Sequence, residues 1–174
     1  MISHGFTHST SRKEKEMGNH KLLLVMMTGV TVATAYFSGN ISRAFIPTKE
    51  VFLIAVILGS INVLVTYVGC KLLDEEHFKE EFKKEALIWG PLREEIAFAA
   101  PIFVWNTDWF IPVTLLTYIV WGFGHNYVVF HAVRRVSYIF IGIAFGIPGA
   151  ILLHVFDNYL AISVVSNKNN SGIT

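Results

Sequence analysis

The sequence predicts an all-α, multi-pass integral membrane bundle of five or six helices, and three observations predict it. Hydrophobic residues make up 53% of the 174 residues and charged residues only 16%, where a soluble domain carries about a quarter. The mean hydropathy is +0.50. The apolar residues fall in runs whose lengths match the roughly 20 helical residues needed to cross about 30 Å of hydrocarbon. A net charge of +1 leaves no basic excess of the kind that marks a nucleic-acid partner. With one cysteine, Cys70, no internal disulfide can form.

Residues 1–20 read as a polar, mobile N-terminal tail, residues 21–166 as the membrane domain and residues 167–174 as a polar C-terminal tail. The first candidate span runs from Leu22 to Phe37. Its Ala33-Thr34-Ala35 also fits a small-residue cleavage site, the mark of a signal peptide. Val51 to Leu73 is a second span and leads into a mixed-charge stretch, Asp74 to Glu85. Phe78 and Phe82 there are one turn apart, which suits either an interfacial helix or a solvated linker. A third span covers Ala86 to Trp105 and a fourth Phe110 to about Ala132. Tyr138 to Val165 exceeds one upright span, and Gly146-Ile147-Pro148-Gly149 predicts a short helix, a break and a second helix.

Lysine and arginine placement predicts the orientation. Arg12, Lys13, Lys15 and Lys21 precede the first span. Lys71, Lys79, Lys83, Lys84 and Arg93 follow the second, and Arg134 and Arg135 are assigned to the loop after the fourth. The other loops carry only Arg43 and Lys49. The N-terminus is therefore expected in the cytoplasm and the chain in a cell membrane.

Ionisable groups inside spans cost about 2.5–3.5 kcal/mol each on insertion scales, so each is a functional candidate. Glu94 and Glu95 lie adjacent in the third span. Burial and like charge would push one of them towards neutrality, where a carboxylate serves as a general base; a solvated pair at the membrane boundary beside Arg93 is the alternative. Trp121 and His125 share a helix face in the fourth span, and Gly122 and Gly124 allow a neighbour to approach. In the last span His154 and Asn158 are one turn apart with Asp157 beside them. Two carboxylates, two histidines and an amide could activate a water and donate hydrogen bonds to an oxyanion. His131 falls on a different face from His125 and reads as interfacial. His4, His8 and His20 sit in the tail and would hold metal only adventitiously, and no HExxH or cysteine-pair metal motif occurs.

At these residues the chain resembles the CPBP family, the CAAX proteases and bacteriocin-processing enzymes that include the Ras-converting CAAX endopeptidase. The family's motifs EExxxR, FxxxH and HxxxN appear in order as Glu94-Glu95, His125, and His154 with Asn158, and the resemblance covers about residues 90–165. It implies a membrane-embedded endopeptidase without metal or other cofactor. Glu94 would act as general base, Glu95 as its support and His125 would position the water. His154 and Asn158 would stabilise the oxyanion. The implied partners are the lipid bilayer and a peptide substrate, with a prenylated C-terminus or a leader peptide as the two options. Two positions depart from the family: Ala99 stands at its arginine and Trp121 at its phenylalanine. Without that arginine, Glu95 would be protonated or turn to Arg93. The departure also motivates a second reading, a non-catalytic binding or bacteriocin-immunity partner. A third is a proton-conducting or transport protein.

Overall fold

The computed structural model describes residues 7–72, 85–122 and 128–170, with side chains described for 21–70, 87–122, 132–164 and 166. It is 88% helical, with six α-helices and no strand among the described residues. These are α1 (Thr7–Ser38), α2 (Phe52–Leu72), α3 (Gly90–Ala97), α4 (Ala100–Phe103), α5 (Phe110–Gly122) and α6 (Val128–Asn170). Short 3₁₀ turns at Ile41–Ala44 and Lys49–Val51 join α1 to α2, and a π-helical turn, Glu85–Trp89, leads into α3. The backbone is helical from Thr7 onwards, so the polar stretch 7–20 continues the first apolar run as one helix. The mixed-charge stretch falls almost wholly outside the described residues.

Three stretches are long and apolar enough to cross a membrane: Lys21–Ser38, Lys49–Cys70 and Ala132–Val164. The last is not straight. Gly146 has φ 78° and ψ 173°, a conformation outside the helical region. Beyond it the chain folds back, because Tyr138 stacks on His154 at 4.7 Å between ring centroids and Arg134 reaches Asn158. In a straight helix residues 138 and 154 would stand about 24 Å apart. α6 is thus a hairpin of two antiparallel arms, residues 128–145 and 147–170, with the break where glycine and proline predict it. Pro148 has no N–H to bond the Ala144 carbonyl, and that oxygen instead accepts the Thr48 N–H at 3.2 Å.

The third predicted span is corrected. Residues 86–105 form a π-turn and two short helices separated at Phe98 and Ala99. The cause is Pro101, which begins a new helix and cannot donate to the Ala97 carbonyl. The exposed carbonyls find partners elsewhere: the Thr31 hydroxyl of α1 donates to Ala97 O at 2.6 Å, and the Arg135 guanidinium of α6 donates to Phe98 O. Thr31→Val should therefore destabilise the bundle by about 1–3 kcal/mol, the cost of leaving one buried carbonyl unsatisfied. Unfolding in detergent beside the wild type measures it. The described part of the fourth predicted span is α5, Phe110–Gly122, and residues 128–132, at the end of that predicted span, belong to α6.

The elements alternate in direction. Asn40 bonds Phe103 O, Arg43 bonds Trp105 O, and Gly146 packs on Ala44, so the α1–α2 connection, the α4–α5 connection and the α6 tip share one end. Six segments then cross between the two ends: α1, α2, α3 with α4, α5, and the two arms of α6. α2 turns a buried stripe, Ala55, Asn62, Thr66 and Cys70, mainly towards α6, and Val51 of the preceding 3₁₀ turn is buried as well. Ser137 of α6 donates to Leu58 O across that contact at 2.9 Å. Ala55 also joins Ala44, Ile102, Phe103, Ile139, Ile143 and Ala144 in one buried apolar cluster.

Candidate functional site

The bundle buries several charged and polar side chains within an otherwise apolar core, and its outside is apolar. Glu95 is 2% exposed and Arg135 1%, whereas Leu152 is 70% and Val25 69% exposed. Water would disfavour that surface; charges are excluded from an interior unless paired.

The break after α3 sets up the site. Because the helix ends at Ala97, Glu95 lies on its last turn and faces the arms of α6. Glu95 Oε2 accepts from Arg135 Nη1 at 3.0 Å, and Glu95 Oε1 lies 2.9 Å from His154 Nδ1. One carboxylate therefore binds a cation from the first arm and an imidazole from the second. Arg135 stands over the Phe98 ring at 5.3 Å while its other nitrogen holds Phe98 O, so a single guanidinium fixes both the carboxylate and the helix end. His154 is held by Glu95 at one nitrogen and by the Tyr138 ring on its face. With Nδ1 committed, Nε2 is the nitrogen that could act on a ligand, as an acceptor in neutral imidazole and a donor in the cation.

Glu94, half-buried, accepts from the indole Nε1 of Trp121 at 3.1 Å. The indole at position 121 thus makes a hydrogen bond that a phenylalanine there could not make. Asn158 Oδ1 accepts from Arg134 Nη2 at 2.8 Å, so Asn158 and His154 share a helix face but have different partners. His125 lies outside the described residues, as does the side chain of His131. Glu94, Glu95 and His154 are brought into one region; Asn158 joins it through Arg134 and Tyr138, since Arg134 Nε donates to the Tyr138 hydroxyl at 3.1 Å.

Two expectations are corrected here. Arg134 and Arg135 are not loop residues: both lie in α6, and Arg135 is buried. The counter-charge of Glu95 is neither Arg93, which is exposed and lies 5.9 Å over the Trp89 ring, nor absent. It is Arg135, 40 residues along the chain. Tyr138 and Asn62 were also not singled out; an arginine pair inside an apolar run and an asparagine in mid-span were the signals available.

Fold and site together define a class: an all-α helical bundle with an apolar exterior and a buried glutamate, histidine and arginine linking two helices. No family model, curated protein or solved structure matches the chain.

Proposed function

We propose that this protein is a membrane-embedded, metal-independent endopeptidase of the glutamate type, with its N-terminus in the cytoplasm. The observation that carries the reading is the buried Glu95–His154 contact held by Arg135, one residue from Glu94. The arrangement supports a division of labour between the two glutamates. Glu95, already paired, orients His154 and serves as its counter-ion; Glu94, at the edge of the cluster, takes the proton of an attacking water. Hydroxide adds to the scissile carbonyl, and the oxyanion receives hydrogen bonds from Nε2–H of cationic His154 and from the Asn158 amide, whose oxygen is already turned to Arg134. Protonated Glu94 then gives its proton to the departing amine. The apolar exterior supports a substrate that reaches the site from the bilayer or its edge, such as a prenylated C-terminus or a leader peptide. Arg135 supports catalysis over the binding or immunity reading, because it supplies the positive charge that Ala99 does not.

Cleavage of a quenched-fluorescence peptide library by the detergent-purified protein tests this. Glu94→Ala and His154→Ala should each lower the rate by about 10²–10⁴-fold, the usual range for loss of a general base or an oxyanion donor. Wild-type cleavage by Glu94→Ala would sink the assignment. A folded wild type that cleaves nothing, with no activity gained by Ala99→Arg, would favour the binding or immunity partner.

A further inference from the structure

A second polar cluster lies between α2 and the second arm of α6. Asp157 is fully buried, and its donors converge on one oxygen. The Tyr138 hydroxyl donates to Oδ2 at 2.7 Å, the Asn62 amide donates to the same atom, and Arg134 Nε stands 3.9 Å from it. Oδ1 has no hydrogen-bond partner among the described residues. The same is true of Asn62 Oδ1, also fully buried, and of Thr66 Oγ1, on a residue 5% exposed. Asn62 and Thr66 are one turn apart on the stripe that α2 turns towards α6. Three buried oxygens, on Asp157, Asn62 and Thr66, thus lack hydrogen-bond partners where α2 packs on α6.

Arg134 does not relieve them. Its guanidinium is spent on the Asn158 oxygen and the Tyr138 hydroxyl, on the Oδ2 side. We propose that Asp157, Asn62 and Thr66 form a binding site for a dehydrated monovalent cation of the sodium class. The ligand types fit such an ion: one carboxylate oxygen, one amide oxygen and one hydroxyl are hard oxygen donors, and the low charge of a monovalent ion suits a carboxylate that already faces Arg134 at 3.9 Å. The site is separate from the Glu94–Glu95 chemistry, yet Tyr138 joins the two by bonding Asp157 and stacking on His154. Ion occupancy would therefore stiffen the ring that packs against His154.

Thermal unfolding of the full chain in detergent, in sodium chloride against N-methylglucamine chloride at equal ionic strength, tests the site. Binding to the folded state alone raises Tm by about 5–10 °C once sodium exceeds Kd a hundredfold. Asp157→Asn, which keeps the size and the acceptor for Tyr138, should abolish the sodium response. A response to potassium in place of sodium supports the same site with a larger ion. Equal Tm in sodium, potassium and N-methylglucamine chlorides overturns the proposal and leaves water or a proton to satisfy these oxygens. A full sodium response in Asp157→Asn overturns it too. Should Asp157→Asn fail to fold, Thr66→Val decides: the sodium midpoint rises tenfold or more, and an unchanged midpoint refutes the site.

Discussion

Arg135→Met should destabilise the protein by about 3–5 kcal/mol, the cost of removing one partner of a buried ion pair and leaving the other charge uncompensated. The loss has two sources. Glu95, 2% exposed, would keep only His154 within bonding distance, and the Phe98 carbonyl would lose its donor at the end of α3. Methionine keeps much of the length and all of the apolar stem, so packing against Phe98 is largely retained. Denaturant unfolding in detergent gives the difference. Glu95→Gln in the Arg135→Met background should recover part of it, because the amide still offers an oxygen to His154 Nδ1 but no buried charge. Coupling between such contacting residues usually lies at about 0.5–3 kcal/mol. If Arg135→Met unfolds with the wild type, the guanidinium is not the counter-charge that holds Glu95.

Gly146→Ala should cost about 3 kcal/mol or more, measured in the same way. Two terms add. The backbone at φ 78° and ψ 173° belongs to a region almost restricted to glycine, at roughly 1–3 kcal/mol for another residue. A Cβ there would also stand 2.6 Å from the Ala44 carbonyl oxygen and 3.1 Å from Phe45 Cα. These are backbone atoms of the neighbouring turn and cannot swing away, so overpacking contributes about 1–3 kcal/mol more. Gly29→Ala is the control. It lies inside α1 with nothing within 4 Å of an added Cβ, and helix propensity predicts stabilisation by up to about 1 kcal/mol. Loss of the hairpin tip would separate Tyr138 from His154 as well as destabilise the fold.

Much of the helical plan was legible in the chain. The runs at Leu22 and Val51 became α1 and α2, and the Gly146 to Gly149 break was found where a positive-φ glycine and a proline fall together. The third span was misjudged for a local reason with a distant remedy. Pro101 announces a helix boundary, but an apolar run conceals it when Thr31 and Arg135 stand ready to take up the freed carbonyls. Arg134 and Arg135 were assigned to a loop because two adjacent arginines beside an apolar run usually are loop residues. Glu94, Glu95, His154 and Asn158 could be singled out because polar groups in apolar helices are costly and therefore conspicuous.

Apolar run length, proline and glycine position and the rarity of buried charge act within a few residues, so the sequence by itself determined the helical class, the α6 break and the list of unusual polar side chains. Pairing depends on what the fold-back sets opposite what. Only the tertiary structure decided that Arg135 neutralises Glu95 across 40 positions, that Asp157 meets Asn62 across 95, and that His154 lies on Tyr138. Each of these requires the α6 hairpin to close against α2 and α3, and a contact energy between distant residues exists only once the chain has brought them together.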